Sequence, residues 1–80
     1  MKQARANAIS RLLTNAGLVK QSAENPGFSV FQAGPNAVNV YDSRGDWPHI
    51  INALEGHGYY AFRTVDENDD KRVFVRVAGQ

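Results

Sequence analysis

Ile9, Leu12, Leu13 and Ala16 recur at the three- and four-residue spacing of one helical face, with Asn7, Ser10, Arg11 and Thr14 opposite and Gly17 placed to stop the run. The pattern predicts an amphipathic helix over residues 3–16. Trp47, Ile50, Ile51 and Leu54 repeat it, with Asp46 in the N-cap position and Pro48 in the first turn, where its missing N–H costs little. A second, shorter helix over residues 47–55 follows. Behind each helix the apolar period changes to two. Residues 28–33 and 37–41 flank Gly34-Pro35-Asn36, and residues 59–65 and 72–77 flank an acidic turn centred on Asn68. Both stretches read as β-hairpins, which gives the order α-β-β-α-β-β.

The two halves also align. Ile9, Leu12, Leu13, Gly17 and Leu18 correspond to Ile50, Ala53, Leu54, Gly58 and Tyr59 at one constant spacing, as a duplicated αββ unit with a longer first loop requires. The fold class that follows is α+β, with two helices packed on one face of a four-stranded, mainly antiparallel sheet. A winged-helix module is the competing architecture. It needs a further helix before its wing, and residues 18–27, rich in Ser, Asn, Pro and Gly, supply none.

The glycines around His57 have a chemical alternative, because Gly56-x-Gly58-x-x-Ala61 matches a dinucleotide-binding fingerprint. That fingerprint follows a strand and opens a helix, so that phosphate meets the positive helix end. Here the order is inverted. The carbonyl end of a helix would face the phosphate, so Gly58 reads as a helix stop and His57 as a last-turn residue suited to the negative end.

Composition narrows the picture further. The chain has 80 residues, enough for one domain. Such a domain buries roughly 60% of its unfolded surface, so self-association would help to cover any apolar face left open. With no cysteine, stability must come from packing, and a reducing interior is the natural setting. No stretch has the length of a membrane span or the apolar core of a signal peptide, so a cytoplasmic protein is expected. Net charge is only +1, but residues 1–23 hold Lys2, Arg5, Arg11 and Lys20 with no acid, whereas Asp66, Glu67, Asp69 and Asp70 crowd into one segment.

Enzymatic chemistry finds little support. Asp66, Asn68 and Asp70 open like a calcium loop, but Lys71 stands where the loop needs glycine and Val77 where it needs glutamate. His49 and His57 are two helical turns apart and lack a third ligand, and no serine sits in a nucleophile elbow. Asp46 and His49 could form an acid–base pair, with a cap and a surface imidazole as the plain account. The expectation is a non-enzymatic protein with no catalytic residues, metal, cofactor or small-molecule substrate.

The sheet surface is the informative feature. In the last strand Val73, Val75 and Val77 share one face, leaving Arg72, Phe74 and Arg76 on the other. With the valines against the helices, Val38 and Val40 also face inward and Tyr41 outward. In the third strand Tyr60 and Phe62 are expected to join the core, with Tyr59 and Arg63 outside. The expected outer face thus carries Tyr41, Tyr59 and Phe74 among Arg63, Arg72 and Arg76. Rings that stack bases beside guanidiniums that neutralise phosphates suit nucleic acid, with Arg5 and Arg11 of the first helix as a second route to phosphate. The alternative is a protein–protein adaptor or inhibitor, a homodimer above all, using the same face or a strand edge.

Overall fold

The computed structural model of the protein describes residues 3–65 and 73–79. The acidic turn with its calcium-like spacing, and Arg72 beside it, lie outside them. In chain order the elements are α1 (Ala6–Asn15), β1 (Phe28–Gly34), β2 (Ala37–Asp42), α2 (Trp47–Gly56), β3 (Tyr60–Val65) and β4 (Val73–Ala78). The α+β class and the α-β-β-α-β-β order are as the sequence indicates. The sheet order is β1-β2-β4-β3 with every pairing antiparallel. Both helices pack on one side.

Exchanging the two αββ units leaves this strand order unchanged, so the fold has an approximate two-fold through the β2–β4 pair. The helix ends repeat the symmetry in atomic detail. The N–H of Leu18 donates to the Leu13 carbonyl and that of Gly17 to Thr14, while Tyr59 donates to Leu54 and Gly58 to Glu55, all at 3.1 Å. Each set is a Schellman motif, closed by a glycine at positive φ (91° for Gly17, 87° for Gly58). The Gly56–His57–Gly58 stretch is therefore a helix terminus, with Gly56 its last helical residue and Gly58 its stop.

The core is built from equivalent residues of the two units. Ile9 and Leu13 of α1, Ile50 and Leu54 of α2, and Val38, Val40, Val75 and Val77 of the central strands are all fully buried, joined by Ala4, Phe28 and Tyr59. The valine, leucine, isoleucine and phenylalanine side chains among them each contribute about 1.5–3 kcal/mol through removal from water.

α1 begins three residues later than its periodicity suggests, because residues before it are held in an extended run. The Ala4 N–H donates to Asn36 Oδ1 at 2.7 Å, Gln32 Nε2 to the Ala4 carbonyl at 3.0 Å, and the Ala6 N–H to Gln32 Oε1 at 2.8 Å. Asn36 Oδ1 also accepts the Gly79 N–H at 3.2 Å, so one turn amide ties Ala4 and Gly79 alike to the first hairpin. At α2 the expected cap works differently. Asp46 holds the N-cap position without a side-chain capping bond. The nearly buried Asp42 shapes the turn instead, accepting the Arg44 N–H (3.1 Å) and the Asp46 N–H (3.0 Å) with its two carboxylate oxygens.

Open space surrounds both Gly17 and Gly56, so only backbone conformation separates them. Gly17→Ala is expected to destabilise the protein by about 1–2 kcal/mol, the cost of a side chain in the left-handed region. Gly56→Ala leaves stability unchanged or raises it by up to about 1 kcal/mol. Urea denaturation of the two variants checks the pair of outcomes.

Candidate functional site

Directly paired residues in an antiparallel sheet share a face, so the register assigns every strand residue to a side. The Val38–Val77 and Val40–Val75 pairs lie beneath the helices. Between and beyond them Asn39 pairs with Arg76, and Phe31 and Phe62 flank that pair from β1 and β3. The next row places Tyr41 beside Phe74, with Ser29 and Thr64 at its ends. Tyr60 completes the outer face opposite Ala78.

Phe74 does face away from the helices, as expected, but it is only 5% exposed. The Tyr41 ring lies 5.1 Å from it and the Arg76 guanidinium 5.6 Å above it. Arg76 Nε also donates to Asn39 Oδ1 at 2.6 Å, so this cation is oriented across the centre of the face rather than projecting from it. Phe31 meets Tyr41 edge-on at 5.5 Å. The accessible rings are those toward the edges: Phe31 is 52% exposed, Tyr60 58% and Phe62 55%.

β3 runs in the phase opposite to the one expected. Tyr59 is 6% exposed within the core, Ala61 packs against it, and Arg63 pairs with Val75 on the helix side, where it is exposed. Tyr60 and Phe62, expected in the core, are outside. The physical reason is the helix stop. In a Schellman motif the residue after the glycine turns its side chain back onto the helix, which sends Tyr59 inward and fixes the parity of the strand it opens. Small Ala61 then leaves room for α2, which packs directly on β3. Of the residues expected on the outer face, the structure brings together Tyr41, Phe74 and Arg76. Tyr59 and Arg63 belong to the other side, and Arg72 is outside the described residues.

Arg5 and Arg11 are exposed along α1, away from this face. Arg11 borders two surface clefts. One, of about 470 Å³, lies between the ends of the helices and is lined by Ala8, Leu12, Asn15, Ala16 and His57. The other, of about 320 Å³, lies between α1 and the segment after it, lined by Asn7, Ser10 and Lys20 over Val30. The Asp46–His49 pair forms, 3.3 Å apart and half in solvent, but it borders neither cleft.

No family model, curated protein or solved structure matches the chain. No helix among the described residues is long and apolar enough to cross a membrane.

The inverted phase of β3 has a measurable consequence. Tyr59→Ala is expected to cost about 3 kcal/mol or more, as for other large buried rings. Phe62→Ala stays within about 0.5 kcal/mol of the parent in dilute solution, as for an exposed residue. Chemical denaturation of both variants reverses this ranking if Phe62 is the core residue.

Proposed function

We propose that the protein is a small non-enzymatic binding module that recognises a protein surface through the open face of its sheet, and that a second copy of the chain is the first occupant of that face. The observation that carries this reading is the exposure of Phe31, Tyr60 and Phe62, each more than half open to solvent on one face. Among the described residues that face holds a single charge, Arg76, already bonded to Asn39. Interfaces between proteins have this composition: aromatic residues and arginine enriched, other charges depleted at the centre.

The same inventory supports a protein partner over single-stranded nucleic acid at this surface. A stacking platform sets its rings among cations that neutralise the backbone. Here Arg63 lies on the helix side, and the most central ring, Phe74, is covered by Tyr41 and Arg76.

Size sets the expected strength. Four strands about 4.8 Å apart and six or seven residues long present a face of about 400 Å² per copy, below the roughly 800 Å² per partner of a standard stable interface. Association is therefore weak and concentration-dependent, with a Kd on the order of micromolar or above. Sedimentation equilibrium is expected to show a monomer–dimer equilibrium that Phe31→Asp with Phe62→Asp abolishes while circular dichroism stays unchanged. A chain that remains monomeric up to about 1 mM contradicts the self-association reading.

A further inference from the structure

The two αββ units differ most where the first carries extra chain. After Gly58 the second unit enters β3 almost at once, whereas after Gly17 residues 18–27 intervene before β1. This insertion is an ordered strap. The Phe28 N–H donates to the Val19 carbonyl and the Gln21 N–H to the Phe28 carbonyl, both at 2.9 Å, which lays Lys20 beside the start of β1. Ser22 accepts the Asn25 N–H, and Ser43 Oγ clamps Gly27 by accepting its N–H at 3.0 Å. Gly27 has to be glycine, because a Cβ there would collide with the Val19 carbonyl oxygen. The strap is thus fixed on the sheet edge by named bonds and by one close backbone approach.

Its effect is to bring Lys20 to the cleft that α1 lines with Asn7, Ser10 and Arg11. Two cations, an amide and a hydroxyl border one opening of about 320 Å³. Among the described residues neither Arg11 nor Lys20 has a carboxylate within ion-pair distance, and residues 1–23 contain no acid at all. The first turns of α1 border the same opening, so the positive end of the helix adds to the field there. Arg5 extends the positive charge along α1, about 9 Å from Arg11 along the axis at 1.5 Å per residue. Carried by the N-cap of α1, by α1 itself and by the strap, the three cations form an extended positive surface, which suits a polyanion better than a single point charge.

From this we infer that the cleft between α1 and the strap is a contact site for the phosphodiester backbone of nucleic acid, with Arg11 and Lys20 as its phosphate-binding residues. It lies on the helix side of the molecule, separate from the aromatic sheet face, and does not depend on self-association. Phosphate contacts carry no base code, so the expected binding is sequence-tolerant and strongly salt-dependent.

The test is a salt series of binding to a mixed-sequence DNA duplex, followed by fluorescence anisotropy, with inorganic phosphate as competitor. The wild-type protein is expected to bind at low salt. Arg11→Gln with Lys20→Gln makes the slope of log K against log salt shallower by about 2, nearly one unit for each phosphate no longer neutralised. Phe31→Ser with Phe62→Ser, on the opposite face, leaves that slope unchanged. Gly27→Ala, which displaces the strap without altering any charge, weakens binding. Gly34→Ala, where the added carbon makes only an ordinary contact with Ala37, does not. No binding at low salt, an unchanged slope in the Arg11/Lys20 variant, or displacement by inorganic phosphate at concentrations equal to the competing DNA phosphate would each overturn the inference. Loss of binding in the Phe31/Phe62 variant alone would overturn it too, by moving the contact to the sheet face. Both glutamine positions are exposed, so these variants read out binding even if Gly27→Ala fails to fold.

Discussion

At the centre of the sheet β2 pairs with β4, and that pairing sets which side of every strand meets the helices. Val38 lies opposite Val77 and Val40 opposite Val75, and all four are fully buried against Ile9, Leu13, Ile50 and Leu54. Because side chains alternate along a strand, burying these valines commits Asn39, Tyr41, Phe74 and Arg76 to the other side. A slip of one residue in this pair would turn the core to solvent and the aromatic face onto the helices. The burial that stabilises the domain therefore also creates the surface offered to a partner.

The approximate two-fold explains why so small a chain can form such a core. Each unit alone is a helix over a hairpin, too little to bury a shared layer, whereas two units joined along their inner strands bury one layer from both sides. Symmetry accounts equally for the exposed rings. Phe31 and Phe62 take equivalent places on the edge strands, facing out from the row centred on Asn39 and Arg76. The units diverge in the strap after α1, and there the protein forms a basic cleft.

Much of the fold was legible in the sequence, because period and punctuation agreed over most of the chain. The helical stripes ended at Gly17 and Gly58, and the valine alternation of β2 and β4 had one reading. β3 did not. In Tyr59-Tyr60-Ala61-Phe62-Arg63 both phases carry an aromatic residue, and the more apolar phase, Tyr60 with Phe62, invites an inward assignment. The deciding signal was local to the helix end. A Schellman glycine is followed by a residue that packs back onto its helix, as Leu18 does after Gly17, and applying that to Gly58 turns Tyr59 inward. The roles of Asn36 and Gln32 were out of reach for another reason. Their bonds to Ala4, Ala6 and Gly79 join segments whose proximity only the assembled sheet creates. Lys20 likewise looked like one more charge in a loop until the strap placed it beside Arg11.

The sheet divides into a valine face and an aromatic face, and proton–proton contacts in solution report that division without any substitution. In a nuclear Overhauser spectrum of the dilute protein, the Tyr59 ring is expected to show cross-peaks to core methyl groups such as those of Leu54, and the Phe62 ring to the side chain of Arg76. Cross-peaks from the Phe62 ring to the methyl groups of Ile50 or Leu54 would rule the division out, because they would put that ring on the helix side.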